Sequence, residues 1–269
     1  MRFSLVILAL AGCSKPAVPE YDAFHAERTT EITGEWLTLI ARAELHSGDN
    51  TIGAEGEVKL PADRAPGVIG TLSLGDKLLW KSGETTREIL DDSHGEPTVF
   101  EHGSLRMHVI NRSGTRYLRV KDLESPALKS FKGLQWFAAD PKWKVSATFE
   151  PADRGATVDI VNVLQQTRAW SSPGTLRFEV DGREYRLTAL SDGEPNYFIV
   201  FKDESSGHGT YPAGRFIHIP LAVDGKTTID FNRAYSPPCA FTSFATCPLP
   251  PPGNKLALKI EAGERFAGH

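Results

Sequence analysis

The sequence contains few sulfur-bearing residues and no excess of charge of one sign. Its 269 residues include three cysteines and two methionines, and 30 basic residues stand against 34 acidic ones, for a formal net charge of −4. Nucleic-acid-binding surfaces usually carry a strong basic excess, so the sequence predicts no nucleic-acid partner. An apolar fraction of 40% with a mean hydropathy of −0.27 excludes both a disordered chain and a multi-span membrane protein.

Several motifs of common enzyme classes are also missing. The sequence contains no Gly-x-Ser-x-Gly elbow, no His-Glu-x-x-His pair, no phosphate-binding P-loop and no dinucleotide-binding glycine fingerprint. Each of these motifs places a nucleophile, a metal or a phosphate group in a defined local geometry. Their absence lowers the prior for common serine hydrolases, metalloproteases and nucleotide-binding enzymes. The catalytic residues and any cofactor therefore stay unassigned at this point.

The first thirteen residues predict a secretion signal. Arg2 supplies one positive charge, residues 3–10 are mostly apolar, and Leu10-Ala11-Gly12-Cys13 resembles the bacterial lipobox. We expect residues 1–12 to be a signal peptide, Cys13 to carry the lipid, and residues 13–20 to form a tether. The protein would then be anchored to a membrane of the cell envelope. Ser14 favours the periplasmic face of the outer membrane if the host has two membranes.

The two remaining cysteines, Cys239 and Cys247, form an even pair separated by seven residues. In an oxidising compartment such a pair can form a disulfide. The proline-rich sequence around the pair does not guarantee the Cα separation of about 5.5 Å that a disulfide needs. Two free buried thiols and a two-thiolate metal site are the other interpretations. The sequence leaves the three alternatives open.

Short apolar segments separated by Gly, Asp and Pro recur along most of the chain and predict an all-β protein. We expect a leading helix and a β-sandwich over residues 21–125, a connecting segment over residues 126–143, and an antiparallel β-barrel over residues 144–269. Residues 47–50 have the composition of a turn. Asp181-Gly182 is the strongest hairpin signal, because Asp-Gly supplies the positive φ angles of a type I′ turn.

The proline-rich segment, residues 237–252, contains six prolines and both cysteines. Proline cannot join the interior of a sheet, so we expect this segment to cover the barrel as a lid. An arginine at the mouth of a pocket suits a carboxylate or phosphate, and Asp or Tyr can position a ligand or move a proton. The flanking polar residues thus predict a site for a small polar or anionic ligand at Tyr211, Arg215, Asp230, Asn232, Arg233 and Tyr235.

Two other functions remain open. The protein could be an enzyme of unknown class that uses Asp230, Tyr211 and Arg215, or an envelope scaffold that binds other proteins. His208 and His218 could join the cysteines around a metal, but their spacings do not match those of close metal ligands, so we predict no metal site.

The sequence contains several long signatures, which are Gly48-Asp-Asn-Thr-Ile-Gly53, Phe131-Lys-Gly-Leu134, Trp136-Phe137, Asp140-Pro141, Tyr211-Pro-Ala-Gly-Arg-Phe216, residues 229–252 and Asn254-Lys-Leu256. Together they resemble the family known as domain of unknown function 1684. The resemblance spans about residues 20–265, and the family has no assigned activity. The resemblance also argues against an obligatory disulfide, because members of the family occur with and without a secretion signal.

The region after Asn50 is similar in layout to the start of forkhead-associated β-sandwiches. Those domains bind phosphothreonine through an arginine before the first glycine, a serine and a histidine. Here Ile52 precedes Gly53, and residues 54–65 do not fill the serine and histidine positions. The resemblance therefore implies a sandwich fold without phosphopeptide recognition.

Overall fold

The structure, a computed structural model, describes residues 19–112 and 114–266. It is 45% strand and 15% helix, which confirms the prediction of a mostly β protein. The predicted signal peptide and Cys13 lie outside the described residues, as does Ser113. Within the described ranges, no helix is both long and apolar enough to cross a membrane.

Two short α-helices flank the N-terminal half of the protein. Helix α1 (Asp22–Glu31) continues into a π-helical turn over Ile32–Trp36, after which the first strand begins at Leu39. Helix α2 (Pro126–Ser130) begins where the Ser125 side chain accepts a hydrogen bond from the Leu128 amide at 3.0 Å, an N-cap with proline in the first turn.

Nine strands lie between the two helices and form two sheets around one core. The sheets have the strand orders β1-β9-β8-β7 and β3-β2-β4-β5-β6, and every pairing except β2 with β3 is antiparallel. The core contains Leu72 and Trp80 of one sheet with Met107 and Leu118 of the other. The strands are β1 (Leu39–Glu44), β2 (Gly48–Gly53), β3 (Val58–Lys59), β4 (Gly70–Leu74), β5 (Leu78–Ser82), β6 (Thr85–Ile89), β7 (Phe100–His102), β8 (Leu105–Arg112) and β9 (Thr115–Asp122).

The turn predicted at residues 47–50 is wrong, because most of this segment belongs to β2. Asn50 is buried, and its side chain accepts from the His46 amide (3.0 Å) and donates to the carbonyls of His46 (2.9 Å) and Leu72 (3.2 Å). A buried amide that bonds to the backbone in this way stabilises the start of the strand. The Gly-Asp-Asn composition alone cannot distinguish the start of such a strand from a turn.

Ten further strands follow α2, most of them in a four-stranded sheet of order β15-β14-β11-β18 and in the pairs β16-β17 and β12-β13. The Asp181-Gly182 hairpin is confirmed: Val180 pairs with Arg183, and the two turn residues have φ angles of 50° and 75°. The strands are β10 (Gln135–Trp136), β11 (Lys144–Pro151), β12 (Thr157–Val161), β13 (Thr167–Ser171), β14 (Gly174–Val180), β15 (Arg183–Ala189), β16 (Asn196–Phe201), β17 (Arg215–Pro220), β18 (Lys226–Asp230) and β19 (Glu264–Arg265).

The predicted C-terminal barrel is wrong, since the described strands form several sheets and no closed barrel. The β16-β17 ribbon is covered on both faces instead. Ile199 on one face packs into the core of the four-stranded sheet, whereas Phe198 and Val200 on the other face belong to a second core with Ile160 of β12. A ribbon buried on both faces lies between two layers, so the sheet does not curl round to pair its edges.

The proline-rich segment packs between the N-terminal sheet and the second core. Ala245 and Cys247 lie in that core beside the β16-β17 ribbon. Arg42 of β1 donates hydrogen bonds to the carbonyls of Phe244 (3.2 Å) and Ala245 (3.3 Å). The segment therefore joins the two halves of the protein rather than closing the end of a barrel.

Candidate functional site

The structure places the six predicted ligand-binding residues in three different environments. Arg215, at the start of β17, is fully buried. Its guanidinium bonds to Asp203 Oδ1 (3.1 Å) and to the carbonyls of Ile260 (2.9 Å) and Ala262. Asp203 also accepts from the Ile260 amide at 2.8 Å. This pair ties β17 to residues 260–262 in the interior of the protein, and both side chains are fully buried rather than placed at the mouth of a pocket.

Tyr211 lies beside the cysteine pair. Its hydroxyl donates to the Cys239 carbonyl at 3.0 Å, and its ring meets Phe266 edge-on with a centroid separation of 5.0 Å. Burial raises the pKa of the Tyr211 phenol. Among the described residues, the Tyr211 side chain therefore shares no hydrogen-bond partner with Arg215 or with the turn formed by residues 230–233.

Asp230, Asn232 and Arg233 form the turn after β18. Asp230 accepts from the Tyr21 hydroxyl and from the Asn232 side chain, both at 2.9 Å. Asn232 in turn bonds to both backbone groups of Asp140, at 3.0 and 3.1 Å. Burial and the Asp230 carboxylate raise the pKa of Tyr21 to about 12. These bonds fix the turn and the position of Arg233, whose guanidinium carbon lies 5.5 Å from the Phe24 ring centroid.

A groove between helix α1 and the C-terminal strands contains two of the predicted residues, Arg233 and Tyr235. We call it the α1 groove. It encloses about 460 Å³, within the size range of small-molecule sites. It is lined by Phe24, Glu27, Arg28, Glu31, Glu194, Asn196, His218, Arg233 and Tyr235.

His218 and Tyr235 line one wall of the groove, and hydrogen bonds link them to Asp192 in a series of three polar side chains. His218 Nε2 lies 2.8 Å from Asp192 Oδ2, and Nδ1 lies 3.1 Å from the Tyr235 hydroxyl. A carboxylate only accepts hydrogen bonds, so the imidazole donates from Nε2 to Asp192. In the tautomer that carries its hydrogen on Nε2 alone, Nδ1 accepts from the Tyr235 hydroxyl. Burial raises the pKa of Tyr235, which keeps the phenol protonated. These hydrogen bonds fix the position of the Tyr235 hydroxyl, and its oxygen can still accept a hydrogen bond from a ligand.

Arg28 also lines the groove and pairs with the buried Glu264, and neither residue was predicted. Their side chains are 3% and 2% exposed, with Arg28 Nε 3.6 Å from Glu264 Oε2. Arg28 also bonds to Glu31 (2.6 Å) and to the Ser236 carbonyl (2.5 Å), and it stacks 4.4 Å above the Tyr235 ring. Burial raises the pKa of Glu264 despite the Arg28 charge. Among the described residues, Arg28 Nε, Ser236 Oγ and Glu264 Oε2 are buried atoms that find no hydrogen-bond partner.

His218 carried a sequence signal, because it is a polar residue inside the apolar strand β17. Arg28 carried none, since only the structure shows that it is the buried residue of a helix whose other positions are half-buried or exposed. Asp192 lies in a loop of ordinary polar composition, and nothing in the sequence distinguishes it. The sequence also gives no indication that α1 contacts a turn about two hundred residues further along.

Cys239 and Cys247 are free thiols in contact with one another. The Cys239 amide donates to Cys247 Sγ at 3.2 Å, and Cys247 is buried whereas Cys239 is half-buried. A hydrogen bond from the Cys247 thiol lowers the pKa of Cys239 and raises that of Cys247. The described residues contain no group of three or more His, Cys, Asp or Glu side chains that could hold a metal ion.

These features define a mostly β protein with a polar groove beside its leading helix. The model of the family described as "Protein of unknown function (DUF1684)" matches residues 129–265, about half of the chain. The protein belongs to this family. It is also similar to an uncharacterized protein of Haloarcula marismortui with a solution NMR structure: identity is 34%, coverage is 51% of this chain and 78% of that chain, and the TM-score is 0.43. No curated protein matches the chain.

Proposed function

We propose that the protein binds a small polar or anionic ligand in the α1 groove. The observation that carries this proposal is that Arg233 and Tyr235 both line this groove. The Arg233 side chain is 43% exposed, and its nearest carboxylate, that of Asp230, lies 4.0 Å away. Its guanidinium can therefore pair with a carboxylate or phosphate, which it suits through parallel hydrogen bonds.

The rest of the lining narrows the ligand class. Glu27, Glu31 and Glu194 supply acceptor oxygens, and the Tyr235 oxygen has free acceptor capacity. Phe24 and the Tyr235 ring provide apolar surface. This combination fits a molecule that carries one acidic group together with hydroxyl or amino groups, such as a hydroxy acid or an amino acid. A purely dianionic ligand would meet repulsion from the glutamates.

We also propose that the protein is lipid-anchored in the cell envelope. This rests on Leu10-Ala11-Gly12-Cys13 and the apolar residues before it. The prediction is that a Cys13→Ser variant moves from the membrane fraction to the soluble fraction of its host. Retention of this variant in the membrane, or a wild-type protein whose Cys13 carries no acyl chain by mass spectrometry, contradicts the anchor.

We propose that residues 21–125 form a β-sandwich with the layout of forkhead-associated domains. The two N-terminal sheets around one core support the sandwich. Residues 126–143 then form the connection, and residues 144–269 form the ligand-binding part. Arg233, Tyr235 and His218 all belong to that last part, and helix α1 of the first part completes the groove.

An enzyme built on Asp230, Tyr211 and Arg215 receives no support from the geometry. Arg215 is fully buried against Asp203, Tyr211 contacts the Cys239 carbonyl, and Asp230 contacts Tyr21. Their side-chain contacts therefore lie in three different places in the described part of the chain. A scaffold function remains the alternative outcome of the ligand test below.

The proposal is tested on protein purified from its host. Native mass spectrometry should show a retained small molecule, and a panel of hydroxy acids, amino acids and sugar phosphates should include members that raise the melting temperature. A ligand at a hundred times its Kd stabilises a protein by about 2.7 kcal/mol, which a thermal scan detects. Protein with no retained molecule and no stabilisation across the panel would favour the scaffold alternative and overturn the binding proposal.

A further inference from the structure

The two free cysteines stand at the ends of a short loop in the proline-rich segment. Residues 240–246 separate them along the chain, and the Cys239 amide donates to Cys247 Sγ at 3.2 Å. The Cys247 side chain also lowers the pKa of the Cys239 thiol, as expected for two groups in contact. The sulfur atoms are therefore neighbours, and neither cysteine has to be carried across the molecule to meet the other.

The surroundings of the two thiols differ. Cys247 is 5% exposed and packs in the second core beside Phe198 and Val200, whereas Cys239 is half-buried at the edge of that core. A small reagent from solution thus reaches Cys239 first. Cys247 has access mainly to Cys239.

A positive charge lies beside the loop. The Arg42 guanidinium is held against the Phe244 and Ala245 carbonyls at 3.2 and 3.3 Å, within the loop that separates the cysteines. Its charge and the hydrogen bond from Cys247 both favour the thiolate form of Cys239. Reactive cysteines usually lie in such partly exposed, electropositive surroundings.

We propose that Cys239 and Cys247 form a redox-active dithiol that reduces small-molecule disulfides, with Cys239 as the attacking thiol and Cys247 as the resolving thiol. This site is separate from the α1 groove. It does not depend on ligand binding there.

The reaction has two exchange steps. The Cys239 thiolate attacks one sulfur of the small disulfide, a Cys239–sulfur bond forms, the S–S bond breaks, and one small thiolate leaves with the electron pair. Cys247 then loses its proton and attacks the Cys239 sulfur, which releases the second small thiolate. The two protein thiols lose two electrons and two protons in total. The small disulfide gains these two electrons and two protons and becomes two thiols.

Oxidised glutathione is the probe, used on the chain with Cys13→Ser so that Cys239 and Cys247 are its only thiols. Intact-mass spectrometry should show the protein losing two hydrogens without retaining glutathione. With Cys247→Ser added, one glutathionyl group should stay attached, because the resolving thiol is missing. With Cys239→Ser added instead, the protein should react at least tenfold more slowly.

A second measurement uses the protein with both cysteines intact and does not depend on the folding of a variant. A short pulse of iodoacetamide followed by peptide mapping should alkylate Cys239 at least tenfold faster than Cys247, and the difference should vanish in denaturant. Equal alkylation of both thiols in the folded protein overturns the assigned roles. If oxidised glutathione does not convert Cys239 and Cys247 of the Cys13→Ser protein into a disulfide with one another, the proposal as a whole is overturned.

Discussion

Two buried pairs of arginine and carboxylate, Arg215–Asp203 and Arg28–Glu264, have very different surroundings. The first pair is completely buried at 3.1 Å, and three backbone or hydroxyl partners bond to the terminal nitrogens of the Arg215 guanidinium besides the carboxylate, so that only its Nε has no partner among the described residues. The second pair is separated by 3.6 Å, its Arg28 lines the α1 groove, and Arg28 Nε, Ser236 Oγ and Glu264 Oε2 have no partner within the described ranges.

The difference indicates that Arg215–Asp203 is a structural ion pair, whereas Arg28–Glu264 lies beside the candidate ligand site. Buried charges are tolerated when hydrogen bonds replace the water they have lost, and Asp203 has such bonds from the Ser205 and Ile260 amides. Glu264 lacks this support at Oε2, and burial raises its pKa. Incompletely satisfied polar groups are more common at functional sites than in ordinary cores. The comparison thus points to the α1 groove, although the sequence analysis predicts Arg215 and Arg233 alike as ligand-binding residues.

The largest expected effect is that of Arg215→Met. Removal of the arginine leaves Asp203 as an uncompensated buried charge, so the free energy of unfolding should fall by about 3–5 kcal/mol. Arg28→Met should cost less, because Glu264 already has a raised pKa and can be protonated instead. Urea unfolding of both variants checks this order.

A double variant tests the physical reason for that loss. Arg215→Met with Asp203→Leu should recover part of the stability, because no buried charge remains. Equal losses for Arg215→Met and Arg28→Met, or a loss below about 1 kcal/mol for Arg215→Met, would remove the distinction between the two pairs.

The next effect is on binding, and Arg233→Ala tests it. Loss of one charge-assisted hydrogen-bonding group costs about 1.5–3 kcal/mol, so the affinity for a ligand found in the panel should fall at least tenfold. The matched control is Arg168→Ala, an exposed arginine of β13 that does not line the α1 groove. Isothermal titration should show unchanged affinity in the control. A tenfold loss in the control with none in Arg233→Ala would move the site elsewhere.

A smaller effect is expected for Tyr235→Phe. This change removes the hydroxyl that donates to His218 Nδ1 and leaves the ring beneath Arg28 in place. The loss of one hydrogen bond should lower the free energy of unfolding by about 0.5–1.5 kcal/mol. Ligand affinity should fall as well, and titration of the same purified sample measures it. Unchanged affinity would exclude the Tyr235 oxygen from the ligand contacts.

The smallest effect is a change in pH dependence for Glu264→Gln. Because the pKa of Glu264 is raised in the folded protein, the folded state binds more protons than the unfolded state above the ordinary pKa of 4.5. The stability that Glu264 contributes is present below that pKa and is lost as the pH rises through the folded pKa. Glutamine stays neutral, so the variant should gain stability relative to wild type as the pH rises. A difference that is independent of pH would contradict the shift.

Local features of the fold were predictable from the sequence, and long-range ones were not. The β14-β15 hairpin follows from Asp181-Gly182 and its alternating flanks, which are interactions between near neighbours. The barrel prediction failed because the position of the β16-β17 ribbon, between two cores, depends on layers that segments distant in the sequence form. The apolar run at residues 197–201 does indicate a strand buried on both faces.

The candidate site divides in the same way. Arg233 and Tyr235 belong to a signature whose polar residues stand out in the sequence. Arg28 and Phe24 reach the groove only because helix α1 packs against the turn after β18, a contact about two hundred residues apart in the chain. Arg215 has the residue type of a ligand-binding group, but its buried partners decide its role.

The most direct test of the account is a crystal structure of protein purified from its host, or soaked with a ligand from the panel. We predict density for a small molecule in the α1 groove, with an acidic group within 3.5 Å of the Arg233 guanidinium and a polar atom at the Tyr235 hydroxyl. Density for the ligand in another cavity, with the α1 groove holding only water, would contradict the central claim.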